Sequence, residues 1–342
     1  PRAWGMFALF VATIVAIIAK AMPMGAATLV ALVISGMTGL TPIKAGKDEV
    51  GMLSGFANST IWLIAIAMFL SRAVIKTGLG KRIALYFVSR FGKRMMGVAY
   101  GMALADVIIG PGIPSASARG GGIMYPIMQS IADTYDSKPG PTARRAGAFL
   151  AIAVSQIDTI VCTMFLTAMA GNPLIAELAR SQSVEITWMT WFLGAIVPGI
   201  VSLIVLPYFV YLIYPPELKD TPKMAEMAKA ELQNMGPMSK AEWILAFDFI
   251  LLLFLWTVGD LVFHIPATVS AFVGLVILLL TNIMNWKNII SETTAWDTMF
   301  WFAVLVMMAN ALNKYGTIGW ISTHISSSVG TLSWPIAFSI LV

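Results

Sequence analysis

The sequence predicts an all-α integral membrane protein with broken helices, a re-entrant hairpin and an inverted repeat. Three observations carry this reading. Of 342 residues, 58% are hydrophobic and 11% charged, whereas soluble domains carry about 25% charged residues. With a mean hydropathy of +0.82, the chain holds more apolar surface than a soluble fold of this size can hide, so its solvent is lipid. Apolar stretches long enough to cross a bilayer, or nearly so, recur at 4–19, 23–40, 57–75, 147–171, 187–214, 243–263, 265–282 and 297–313; a span needs about 20 residues. The segment 95–131, finally, starts as an apolar helix, breaks at IGPGIPSASARGGG and resumes as IMYPIMQSI.

In chain order, the first two stretches read as helices entered almost directly from Pro1. The last run, Trp334 to Val342, is too short to span, so the sequence is expected to be a fragment truncated at both ends. After the third stretch, residues 72–94 carry seven basic side chains and no acid. In KRIALYFVSRFGKR, Ile83, Leu85, Tyr86 and Phe87 sit among these charges, a pattern expected of a helix lying in the membrane surface. The positive-inside rule places it on the cytoplasmic side.

Two Pro and five Gly within 110–122 cannot continue a helix. Irregular backbone at membrane depth survives only where protein or water covers it, so 95–131 is expected to enter and leave on one side. The linker 215–242 mixes Lys219, Lys223, Lys229 and Lys240 with five acids and should share the side of 72–94. Segment 177–186 falls opposite, as do Lys44 and Lys47, beside Asp48 and Glu49. The formal charge of +5 reads as loop charge rather than a nucleic-acid surface, and the single Cys162 excludes a disulfide within the chain.

TIWLIAIAMFLSRAVIKTG (60–78) aligns without gaps on TMFWFAVLVMMANALNKYG (298–316). Thr60/Thr298, Ala65/Ala303, Ala73/Ala311, Lys76/Lys314 and Gly78/Gly316 are identical. Five crossings separate the copies if the hairpin makes none, so they are expected to run in opposite directions. Inverted repeats with a midplane site at broken helices are a recurring plan of secondary transporters.

The hairpin tip, Ser115-Ala116-Ser117-Ala118-Arg119, has the chemistry of an anion site. A helix start offers backbone N–H groups, two hydroxyls add donors, and a guanidinium can grip a carboxylate. The same residues also suit a tight turn for close helix packing. Thr159, Thr163 and Thr167 recur every fourth residue ahead of Gly171-Asn172-Pro173, expected to break the helix. That stripe equally suits hydroxyls bonded to their own backbone. Asp106 and Asp158 lie deep in apolar runs, as proton relays or as partners of Arg119, while Asp248 and Asp260 are expected at the interfaces. With two His there is no His–Cys metal cluster, and no hydrolase or phosphate-loop motif is present.

NSTIWLIAIAMF (58–69), KTGLGKRIALYFVSRFGKR (76–94), PSASARGGGIMYP (114–126), MFLTAMAGNPL (164–174) and WDTMFWFAVLVMMANALNKYG (296–316) together resemble the divalent anion:sodium symporter family. The resemblance points to its branch of citrate/succinate and tartrate/succinate antiporters and plastid 2-oxoglutarate/malate translocators. It implies a secondary carrier of small di- or tricarboxylate anions, homodimeric and moving by an elevator motion. Its home is a multi-pass inner or plasma membrane, or an organelle inner envelope in a plant, with membrane lipid and its substrates as partners.

It divides the chain into scaffold helices and an interfacial helix (1–94), a hairpin and broken helix of the transport part (95–214), a linker (215–242) and an incomplete second repeat (243–342). Substrate residues implied are Ser115, Ala116, Ser117, Arg119, Thr163, Thr167 and Asn172. Sodium, if bound, would meet Ser115 and Thr163; no other cofactor is implied. The family's hairpin motif is Ser-Asn-Thr, and here Ala116 replaces the Asn, which points to carboxylate exchange with the charge of Arg119 in place of sodium. A sodium-coupled symporter and a membrane enzyme are the alternatives.

Overall fold

The computed structural model describes residues 2–44, 46–47, 49–180, 183–329 and 332–341. Asp48, Ser181, Gln182 and Val342, which figure in the expectations above, lie outside them. The chain opens with two apolar helices, α1 (Arg2–Ile18) and α2 (Met24–Met37), the second entered from Pro23. Next comes α3 (Ser59–Thr77), which stops at Gly78, whose φ of +81° favours glycine. The amphipathic α4 (Leu79–Phe91) follows, burying Leu79, Ala84, Leu85 and Val88 and exposing Lys81, Tyr86 and Arg90.

The broken segment comprises α5 (Met95–Ile109), a break, a wide π-helical turn over Ser117–Met124, and α6 (Tyr125–Thr134). A second interrupted segment comprises α7 (Gly147–Met164) and α8 (Gly171–Arg180). Beyond it run α9 (Trp188–Ile213), capped by Thr187, and the linker helix α10 (Pro222–Asn234). Ser239 and Glu242 form a capping box at the start of α11 (Lys240–Phe254), which passes through a wide turn into α12 (Asp260–Phe263). The remaining helices are α13 (Ala267–Leu280), α14 (Trp286–Ile290), α15 (Thr293–Lys314), α16 (Thr317–Val329) and α17 (Trp334–Leu341).

Among the described residues no strand occurs, and six helical segments are long and apolar enough to cross a membrane: Ser59–Thr77, Met95–Gly112, Gly147–Met164, Trp188–Ile213, Lys240–Phe263 and Thr293–Lys314. Helices α1, α2 and α13 are apolar but shorter. Large apolar side chains stand exposed along α9 and α11, among them Val197, Val201, Leu212, Phe247 and Ile250, as a lipid-facing surface requires.

The chain divides into two compact units. One holds the residues up to Trp62 and from Trp296 onward, with a core of Met6, Ala31, Leu32, Met307, Met308 and Leu312. There Lys314 Nζ donates to the carbonyls of Lys47 (3.0 Å) and Glu49 (3.1 Å) in the loop ahead of α3. Its aligned counterpart Lys76 lies in the other unit, Leu63–Ala295, and donates to the Ile283 carbonyl (2.8 Å) and to Asn288 Oδ1 (2.9 Å) on α14, in the segment ahead of α15. Each of the two aligned lysines thus holds the segment that leads into the other's helix. Gly316 matches Gly78, with φ +84°.

Within the second unit the linker lies against the basic helix. Lys81 pairs with Glu231 (2.7 Å), Arg82 with Glu242, and Thr221 Oγ1 donates to the Gly92 carbonyl (2.8 Å). The stretches 72–94 and 215–242, expected on one side of the membrane, are therefore in direct contact. Asp248 is fully buried within the protein, because it shares a face of α11 with the buried Leu245 and Leu252.

Candidate functional site

The first break follows from its prolines. Pro111 and Pro114 remove backbone donors, and Ile113, preceding a proline, is held extended at φ −127°, ψ 96°. Gly110–Gly112 form one tight 3-10 turn before the chain straightens. Gly112 is required by packing: a Cβ there would collide with the ring of Phe249. Beyond the break the glycines of SARGGGIM accommodate the wide turn, a form often found at functional sites.

The second break lies earlier than its sequence suggests. Helix α7 ends at Met164, residues 165–170 are irregular, and Gly171-Asn172-Pro173 open the next helix instead of ending the last. Pro is tolerated in a first helical turn, where its missing N–H has no intrahelical partner. Asn172 is buried and donates from Nδ2 to the carbonyls of Cys162 (2.7 Å) and Phe165 (2.9 Å), satisfying groups orphaned at the end of α7.

The two breaks are tied to each other. Thr167 Oγ1 donates to the Pro111 carbonyl (2.6 Å) and accepts from Trp188 Nε1 (3.2 Å). Arg119 is fully enclosed and spans both breaks: its Nη1 donates to the carbonyls of Ile113 and Ala168, each at 2.7 Å. Its Nε donates to Asp106 Oδ1 (2.9 Å) and Asp158 Oδ1 (3.0 Å), and its Nη2 to Asp158 Oδ1 (2.7 Å) and Cys162 Sγ (2.9 Å). A guanidinium has five N–H groups, and all five are taken by the protein. Asp106 Oδ2, by contrast, is buried without a partner.

Ser115 is half-buried, and its Oγ accepts from the Ala118 N–H (3.2 Å), opening the turn. Ala116 is half-buried beside it and Ser117 is exposed. Thr159 and Thr163 face outward from α7 and bond back to the carbonyls of Ser155 (2.9 Å) and Ile160 (2.8 Å). The every-fourth stripe is therefore internally satisfied at two positions, and Thr167, past the helix end, leaves that face. Beside Thr163 opens a cleft of about 360 Å³ lined also by Glu185, Thr190 and Trp191. Hydroxyls such as those of Ser115 and Thr163 suit a hard cation, whereas Ala116 offers no side-chain oxygen. Among the described residues no cluster of three or more His, Cys, Asp or Glu could hold a metal ion.

The site thus assembles Arg119, Thr167 and Asn172 around two helix interruptions, with the Ser115-Ala116-Ser117 tip at its edge. Pairing of Arg119 with Asp106 and Asp158 was one of two readings open in the sequence. The sequence does not single out Cys162 or Trp188, since their roles depend on contacts made across the fold.

The family model for the transmembrane region of sodium:sulfate symporters matches residues 1–342. A Bacillus subtilis protein whose name proposes malate transport is 48% identical over 99% of this chain and 70% of its own length. The chloroplast dicarboxylate transporter 1 of Spinacia oleracea is 42% identical over all of this chain and 59% of its own. An Escherichia coli L-tartrate/succinate antiporter is 32% identical over 99% of this chain and 72% of its own. The chain therefore spans roughly three-fifths to seven-tenths of these relatives. On this match the chain belongs to the sodium:sulfate symporter family, the divalent anion:sodium symporters, a family of membrane transporters and not of enzymes.

Proposed function

We propose that this chain forms the larger part of a secondary carrier that exchanges small di- and tricarboxylate anions across a membrane by an elevator motion of the transport part, 95–214, that bears the hairpin. The observation that carries the proposal is the joining of two helix breaks by Arg119 and by the Thr167–Pro111 bond. Interrupted helices that meet at one site are a recurring plan of secondary carriers, and an anion leaving water needs hydrogen-bond donors in exchange. Substrate would meet the hydroxyls of Ser115 and Ser117, the backbone around Ala116 and the exposed side of Thr163. Arg119, Thr167 and Asn172 would hold these groups in place.

Exchange is favoured over sodium symport by Ala116, which offers no side-chain oxygen where the family motif places an Asn. The names of the relatives support carboxylates as cargo: dicarboxylates for the chloroplast protein, tartrate and succinate for the antiporter. The reciprocal grips of Lys76 and Lys314 support an inverted repeat, the plan on which alternating access in such carriers rests. Saturable counterflow of labelled succinate in proteoliposomes tests the proposal. A channel would show no counterflow, and loss of the signal with well-folded protein would remove the carrier reading.

A further inference from the structure

We propose that the groove between α4, the end of α5 and α11 is a binding site for one anionic phospholipid, with an acyl chain in the groove and the phosphate on Arg90. The groove has a volume of about 600 Å³ and an apolar lining that includes Ile83, Phe87, Ile109, Phe249 and Leu253. Its lip exposes Tyr86, Ile108 and Ile250, so it opens toward the lipid-facing surface. Arg82 also lines it, but its guanidinium is taken by Glu242 and the Gly236 carbonyl, so a carboxylate substrate would lose more hydration there than it regains, whereas an acyl chain fits.

Charge selects the head group. Ile83, Tyr86, Phe87 and Arg90 follow at helical spacings of three and four, so Arg90 ends the same face that lines the groove. The nearer cations are already engaged, Lys81 with Glu231 and Arg82 with Glu242. Arg90, Lys93 and Arg94 are exposed, and no acid occurs between residues 72 and 94. Lys93 and Arg94 meet the linker beside Asp220, which leaves Arg90 as the exposed positive charge on the groove's own face of a helix suited to the membrane surface, where basic side chains attract anionic lipid.

The occupant would bear on the hairpin. Phe249 lines the groove and packs its ring on Gly112 in the first break. A chain seated against Phe249 backs the wall of the interrupted segment.

The test uses the protein in phosphatidylcholine nanodiscs doped with phosphatidylglycerol or phosphatidylcholine bearing a photoreactive group on one acyl chain, with labelled peptides mapped by mass spectrometry. Label is expected on α4, the end of α5 and α11, with the phosphatidylglycerol probe preferred about fivefold, the effect of one basic side chain at a membrane surface. Arg90→Gln should remove that preference and keep the label. Ala246→Trp, which fills the groove, should lose label from both probes with an unchanged melting temperature. Label spread evenly over all lipid-facing helices, a groove left unlabelled because another part of the protein covers it, or a preference unchanged in Arg90→Gln would overturn the assignment. None of these readouts depends on transport, so they stand apart from the carrier proposal.

Discussion

Thr167 Oγ1 donates to the carbonyl of Pro111 at 2.6 Å, so a residue just beyond the end of one helix closes the break in another, 56 positions away. The same oxygen accepts from Trp188 Nε1, so one hydroxyl satisfies two buried groups. Thr167→Val keeps the volume and leaves both unpaired. Each buried group left unsatisfied costs about 1–3 kcal/mol. We expect a melting temperature lowered by several degrees and slower succinate exchange. An unchanged melting temperature would mean that the two breaks are held together by other contacts.

Arg119→Ala should act on folding before it acts on affinity. It would leave Asp106 and Asp158 buried without their cation, at a cost of about 3–5 kcal/mol. Fluorescence-detected size exclusion should show little monodisperse protein, and Asp106→Asn/Asp158→Asn added to Arg119→Ala should restore it. If Arg119→Ala alone folds normally and only raises the substrate KM, Arg119 contacts the substrate directly and the enclosure seen here opens during transport.

Ser115→Ala/Ser117→Ala should behave in the opposite way. Neither side chain is buried, so stability should hold. Hydrogen bonds to a charged group are worth about 1.5–3 kcal/mol each, so loss of the pair should raise the KM for succinate by at least about tenfold. Unchanged KM in folded protein would move the site away from the hairpin tip.

Lys76→Met and Lys314→Met should destabilise the protein to similar degrees, because each lysine satisfies two acceptors in the segment ahead of the other's helix. About 1–3 kcal/mol is expected for each. Urea unfolding in mild detergent would read it. A large effect at one lysine and none at the other would argue against equivalent repeats.

The spans were legible because lipid demands continuous apolar runs, and α3, α9 and α15 lie where hydropathy put them. The break at 110–116 was legible too, since Pro111 and Pro114 forbid a helix whatever surrounds them. The break at 165–170 was misplaced because its sequence, FLTAMA, contains no residue that stops a helix. It is held open by tertiary bonds from Arg119, Thr167 and Asn172, which spacing does not reveal. The enclosure of Asp248 was not legible for a related reason: position along a helix gives depth, but only packing decides which face is enclosed. The crowding of Arg119 by partners 13, 39 and 43 residues away was open in the sequence only as a possibility of pairing.

The central claim is sodium-independent exchange of carboxylates. Uptake of labelled succinate into proteoliposomes, measured with and without an inward sodium gradient and with and without internal succinate, tests it most directly. The account predicts uptake that requires internal succinate and ignores sodium. Uptake that requires sodium and proceeds into vesicles empty of carboxylate would contradict it, and would return the cation to the oxygens around Ser115 and Thr163.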